Sequence, residues 1–407
     1  MASLRQTNKA EHSMSFLFRT LCAVIGAAFL FAVANLAISG LPERGQAMEV
    51  ASNESAPAPN PAPNPGSLLD LATSLLGIAS SQPIEAPLAV TPIRAMPVAP
   101  AAPATALASE IEADWRAWMA THGLSDGAMV VLYPDGTMHR AALERASDAS
   151  FPVASLSKAI TGICMDVVLQ EQGLSWYTTL GDIAPQMSQV RVTPQPWNAR
   201  ISLASLANHT SGLAPDLTQG TMGNVLHGAL GLHRRIASEA LREENMQGTP
   251  REFFYNNTNY AVLGVAIEAL TGQSYSEACM ARAMTPAGIT DATIHGRMGS
   301  RSSYGGWEMS AESYARLAQH WFTNGAGLVG RPFDRPMHAN YSLGYEIRDR
   351  GTSAQVSHAG YFCEGDNSGT GAYFHARGDG VVFSANWSGS CAAAGDTGLG
   401  QIIAGRM

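Results

Sequence analysis

From residue 108 onward the chain alternates between two hydrophobic periods. Ala108–Ala120 repeats apolar residues at helical spacing. Ala128–Tyr133 and Thr137–Leu143 then read as strands joined by an Asp135-Gly136 turn, the pattern of a hairpin. A helix is predicted from Ser155 to Gln172. The middle third is helical in pattern, with Asn259–Leu270, Tyr275–Met284 and Ser310–Phe322 as its clearest stretches. Strand patterns return at Leu343–Arg348, Gln355–His358, Gly371–His375 and Val381–Asn386, and a helix over Gly398–Ala404 closes the chain. Strands at both ends with helices between them predict an α/β (α+β) domain. Its antiparallel sheet is built from both ends of the segment and flanked by helices, with a helical subdomain inserted.

The first 107 residues follow other rules. Residues 20–42 carry no charge and are mostly apolar, with Arg5, Lys9 and Arg19 before them and Arg44 after. That length suits a spanning helix, and the basic flank places residues 1–19 in the cytoplasm and the rest outside. An uncleaved anchor and a signal cut after Ser39 or Ala47 both fit, and both imply export. Residues 43–107 read as a linker, since half of the 22 prolines fall between Pro57 and Pro103. Within it, Leu68 to Ala79 has the spacing of a short amphipathic helix. Residues 108–407 are then one domain, large enough to bury a core.

Composition narrows the function. A net charge of −8 excludes a nucleic-acid binder that works through a basic surface. Five cysteines are too few for a disulfide scaffold, and no Cys-x-x-Cys, His-Glu-x-x-His or Gly-Lys-Ser/Thr phosphate loop occurs. Of the 25 basic residues only Lys9 and Lys158 are lysine. A GC-rich genome would account for the arginine bias but not for where the lysines survive. Lys158 is the one lysine of the domain.

Lys158 follows Ser155 by three residues, so on a helix the two share a face. A helix N-terminus and burial both favour its neutral amine, which can act as base toward a serine. A second group, Tyr255-Asn256-Asn257, precedes an apolar helix. The tyrosine can relay a proton, and the Asn257 amide can hold a substrate carbonyl or the lysine. A third, Ser357-His358-Ala359-Gly360-Tyr361, ends a strand. Gly360 would admit a substrate backbone, and the Tyr361 N–H could pair with that of Ser155 as an oxyanion hole. Taken singly, each has a bland reading: a helix cap with a solvated lysine, a turn, a strand histidine. Gly123-Leu124-Ser125-Asp126-Gly127 mimics a hydrolase elbow, but a helix precedes it and a strand follows, the reverse of what that motif needs.

In this order the three groups resemble the serine β-lactamase and penicillin-binding superfamily, on its class C side, whose pattern is Ser-x-x-Lys, Tyr-x-Asn and Lys/His-x-Gly. Asn208-His209-Thr210-Ser211-Gly212-Leu213, Thr271–Tyr275 and Pro286–Thr293 are also similar to that family. The resemblance implies a β-lactamase/transpeptidase-like fold over residues 108–405. It also implies Ser155 as nucleophile, Lys158 as its base and Tyr255 as proton relay. Asn257, His358, Gly360 and Tyr361 would bind substrate, and His209 would be a structural loop residue near the pocket. Such an enzyme forms an acyl-enzyme on a small-molecule or peptide amide or ester, and needs no metal or organic cofactor. Its relatives include D-alanyl-D-alanine carboxypeptidases, carboxylesterases and penicillin-recognising proteins with negligible turnover. His358 stands where typical class C β-lactamases have lysine, and is more like the carboxypeptidases and esterases. For the cysteines, Cys164 and Cys279 are expected as buried free thiols on helices. Cys363 and Cys391 close strands at one sheet edge and can form a disulfide in an exported protein.

Overall fold

The computed structural model describes residues 104–219, 233–296, 301–323, 341–349, 355–364, 366–395 and 398–407. The expected anchor at 20–42 and the short helix at 68–79 lie outside these. In chain order, helix α1 (Ala104–Thr121) leads into the hairpin β1 (Asp126–Leu132) and β2 (Met138–Ala142). Strand β3 (Phe151–Pro152) runs into a tight turn, Ala154–Leu156, and then helix α2 (Ser157–Glu171). Five helices follow: α3 (Ala184–Gln189), α4 (Leu203–Ala207), α5 (His233–Ala240), α6 (Asn257–Thr271) and α7 (Tyr275–Cys279). Next come β4 (Thr293–Ile294), α8 (Ser302–Gly305), β5 (Trp307–Met309), α9 (Ala311–Ala318), β6 (Tyr341–Ser342) and β7 (Tyr345–Asp349). Strands β8 (Gln355–Cys363), β9 (Ser368–Arg377) and β10 (Val382–Ser390) then lead to α10 (Cys391–Ala394) and α11 (Leu399–Arg406).

The main sheet has seven strands in the order β2-β1-β10-β9-β8-β7-β6, with antiparallel neighbours throughout. The first hairpin pairs with the last strand, so both ends of the domain build one sheet, as the strand pattern predicts. One face packs on α1 and α11 through Trp115, Trp118, Phe383 and Ile403. The other packs on α2, α6 and their neighbours through Ile160, Ile163, Val262 and Phe374. A small second sheet, β3-β5-β4, was not expected from sequence, because two- and three-residue strands carry no period.

Several boundaries differ from the sequence reading. Helix α2 starts at Ser157 because Ala154 has a φ of 47°, which bends the chain into a separate turn holding Ser155. The strand expected over 343–348 is broken by a Leu343-Gly344 turn, and β8 runs on through Gly360 to Cys363. The helix expected over 310–322 is capped by Ser310 and loosens into a wider turn after Ala318.

The cysteines divide the expectations. Cys363 and Cys391 are bonded, with Cα atoms 5.1 Å apart. Cys164 and Cys279, expected as free thiols, are also bonded, with the same Cα separation. Their helices, α2 and α7, pack side by side and bring the two Cα atoms within disulfide reach, a contact between distant segments that helical pattern cannot show.

Candidate active site

The three sequence groups converge. Ser155 sits on the tight turn before α2, and Lys158 lies in the first turn of that helix. Lys158 is fully buried, and its Nζ lies 3.0 Å from Ser155 Oγ and 2.9 Å from the Tyr304 carbonyl oxygen. Burial pushes its pKa down to about 7, with the Asp216 carboxylate opposing weakly. A good fraction of the lysine is therefore neutral near pH 7, with a lone pair available to the serine.

Tyr255 lies in the extended segment ahead of α6, whose N-cap is Asn256. It is 37% exposed and lines the same cavity as Ser155. Desolvation raises its pKa, and a hydrogen bond with Ser155 opposes this only in part. Tyr255 is thus a phenol at neutral pH and suited to hand over a proton rather than take one. The Lys158 Nζ stands 4.9 Å from the centre of its ring.

His358, on β8, is buried, and its Nε2 lies 3.1 Å from the Tyr341 hydroxyl. Burial, then the Lys158 charge, push its pKa down to about 3, so the imidazole is neutral. Two residues on, a Cβ at Gly360 would stand 2.6 Å from the Val153 oxygen and 2.9 Å from the Ser155 nitrogen. The approach this glycine admits is that of the turn holding Ser155. It also sets the backbone of Tyr361 beside that of Ser155. The Tyr361 hydroxyl donates to the Cys391 carbonyl at 2.6 Å, tying the strand end to α10.

Asn257 departs from the expected lysine contact. Its Nδ2 donates to Thr218 Oγ1 at 2.9 Å and its backbone N–H to Asp216 Oδ2 at 3.1 Å. It nonetheless lines, with Ser155, Tyr255, Glu346, His358 and Gly360, a cavity of about 490 Å³. Volumes of this size suit a small ligand.

Three groups at the site escaped the sequence reading, and His209 did not. Tyr304 bonds the lysine through its backbone carbonyl, which no side-chain motif could mark. Tyr341 and Asp216 belong to no recognisable spacing. His209, read as structural, packs its ring 4.5 Å from that of Tyr255, and its Nδ1 accepts the Asn256 N–H at 3.2 Å. Burial holds its pKa well below the ordinary value, so it steadies the Tyr255 segment as a neutral ring. A second Ser–His–Glu grouping, Ser302, His233 and Glu268, is buried and none of the three lines this cavity. Among the described residues no group of three or more His, Cys, Asp or Glu could hold a metal ion. Ser125, the false elbow, lies in the link from α1 to β1, so a helix precedes it and a strand follows, as expected.

A sheet built from both chain ends, with a serine and a buried lysine at the start of the helix beside it, defines a class of acyl-transfer fold. Residues 115–397 match the family model described as Beta-lactamase, and the chain belongs to that family. Penicillin-binding protein 4* of Bacillus subtilis (strain 168) is 29% identical over 154 residues, 37% of this chain and 32% of that protein. The matched part thus spans about a third of that relative's length. Among solved structures, a beta-lactamase/D-alanine carboxypeptidase from Yersinia pestis superposes with a TM-score of 0.58 at 15% identity, covering 75% of this chain and 99% of the other. A D-stereospecific amidohydrolase from Streptomyces gives 0.54 at 17%, covering 72% and 96%. At these identities the likeness shows the fold, which is the β-lactamase/transpeptidase-like arrangement expected from sequence.

Proposed function

We propose that the protein is a serine hydrolase that cleaves an amide or ester through an acyl-enzyme on Ser155. The observation that carries this is the fully buried Lys158 amine 3.0 Å from Ser155 Oγ, with its pKa brought to about 7. Neutral Lys158 takes the serine proton as Oγ attacks the substrate carbonyl. The oxyanion is received by the backbone N–H groups of Ser155 and Tyr361. Collapse expels the leaving amine or alkoxide, which takes a proton from the Tyr255 hydroxyl, and the proton that Lys158 took from Ser155 passes back to Tyr255. Water then attacks the acyl carbonyl, releasing the acid and returning a proton to Ser155 Oγ. His358 is neutral and so offers no fixed charge to a substrate carboxylate, which favours uncharged esters and amides over β-lactams as preferred substrates. Likeness to a penicillin-binding protein supports a second reading, acylation by penicillin with slow release.

Both readings are separated by one panel, a fluorescent penicillin and p-nitrophenyl acetate, with mass spectrometry of Ser155. Turnover of the ester with transient acylation supports the hydrolase. Stable penicillin labelling without ester turnover supports the binding protein. Loss of neither activity in Ser155→Ala would remove Ser155 from the mechanism.

Export is part of the same proposal. Two disulfides fit an oxidising compartment, and residues 20–42 would carry the chain there as an anchor or signal. An anchored protein would face the periplasm, or the exterior, from the inner membrane. No described helix is long and apolar enough to cross a membrane.

A further inference from the structure

Thr161 stands one turn after Lys158 on α2, so both side chains leave the same helix face. They reach consecutive carbonyls of one short helix. Lys158 Nζ donates to Tyr304 O at 2.9 Å, and Thr161 Oγ1 donates to Ser303 O at 2.5 Å. The Thr161 oxygen also lies 2.7 Å from the Tyr275 hydroxyl, which lies 2.9 Å from Trp307 Nε1. Thr161, Tyr275 and Trp307 are all buried.

Donor chemistry orders these contacts. An indole N–H only donates, so the Tyr275 oxygen accepts from Trp307. A carbonyl only accepts, so the Thr161 proton goes to Ser303 O, its Ser157 O contact being longer at 3.2 Å. Tyr275 then gives its own proton to Thr161. The result is a one-way chain from Trp307 through Tyr275 and Thr161 to Ser303. The Trp307 backbone N–H donates to Ser157 Oγ at 3.1 Å, so the 303–307 segment is tied to α2 at both ends. One turn further along α2, Cys164 is bonded to Cys279, four residues after Tyr275 on α7. That bond fixes the helix that presents the Tyr275 hydroxyl.

The geometry points to Thr161 as a positioning residue for the general base. The hydroxyl chain fixes the Ser303 carbonyl, and with it the next peptide unit, so that Tyr304 O holds one N–H of Lys158 and the amine's lone pair faces Ser155. This rests on Lys158 being the base. A buried polar group that loses its partner finds no water to replace it, so cutting the chain forces the peptide to shift.

The test measures the nitrophenol burst from p-nitrophenyl acetate between pH 5 and 9. Thr161→Val keeps the shape of the side chain and removes its bonds to Ser303, Tyr275 and Ser157. It should slow acylation at least about 10-fold, with KM unchanged and the rise of rate with pH displaced from the wild-type position. Thr161→Ser restores the hydroxyl and should return to within about threefold of wild type. Tyr275→Phe breaks the chain one link back and should slow acylation several-fold, which keeps the test decisive if Thr161→Val does not fold. Val168→Ala, on the same helix but outside the chain, controls for stability and should lower Tm without slowing the burst. Wild-type rate and pH profile in the folded Thr161→Val, or in Tyr275→Phe, would overturn the positioning role. So would a Val168→Ala burst slowed as much as that of Thr161→Val. Lys158→Arg, run alongside, isolates the premise: a normal burst there removes the base itself, whereas a lost burst with a normal Thr161→Val removes only the positioning role.

Discussion

At the scale of the residue, the domain's single lysine is set apart by its chemistry. Guanidinium cannot release a proton near neutrality, while a desolvated ammonium can. Lys158→Arg should therefore fold and lose 10²–10⁴-fold in acylation rate, about the size of a general-base contribution. In the wild type that rate should climb as pH rises through about 7, where the amine becomes neutral. The same shift bears on stability. The folded-state pKa is about 7 against an ordinary 10.5, so between these values the unfolded chain binds more protons. Stability must then rise with pH across that window and be lowest, from this group, below 7. Lys158→Met should be inactive yet melt higher than wild type at pH 6, with the gap closing as pH approaches 10. A gap that is absent, or that widens with pH, would contradict the depressed pKa.

At the scale of the element, the site depends on close approaches that side chains would block. Gly360 lets β8 touch the Ser155 turn, and Gly344, at a φ of 84°, lets the β6–β7 turn rest on the α2 backbone at Lys158. Gly360→Ala would place a methyl within 2.6 Å of a backbone oxygen. It should lower stability by about 1–3 kcal/mol and reduce acylation more than that loss explains, because the oxyanion-side backbone is displaced. Urea unfolding and burst kinetics on the same preparation distinguish the two effects. This dependence also explains what the sequence could disclose. The order of strands and helices was legible because period is local, and the convergence of Ser155, Lys158, Tyr255 and His358 was legible only through the order of motifs that resembles a known family. The Tyr304 carbonyl, the Tyr341 hydroxyl, the Asp216 carboxylate and the Cys164–Cys279 bond were not. Each joins segments whose meeting is decided by packing, and their residue types carry no signal of it.

At the scale of the whole molecule, the two disulfides divide the labour of holding the site. Cys164–Cys279 spans 115 residues between two buried helix positions. In chain-entropy terms that loop is worth about 5 kcal/mol. Cys363–Cys391 spans 28 residues, worth about 3–4 kcal/mol, and Cys363 is exposed at the end of β8. A reductant's thiolate needs access to sulfur, so exposure decides the order in which the bonds open. Mild reduction of the native protein, followed by alkylation and peptide mass mapping, should modify Cys363 and Cys391 and leave Cys164 and Cys279 untouched until denaturant is added. The opened protein should lose several-fold in acylation, since Tyr361 is anchored through its hydroxyl to the Cys391 carbonyl and lies beside Ser155 through Gly360. Lys158 should keep its pH profile, because α2 and α7 remain joined. Simultaneous alkylation of all four cysteines under native conditions would show that the buried bond does not hold the helices. Unchanged acylation after Cys363 and Cys391 are modified would separate the oxyanion side from the strand end.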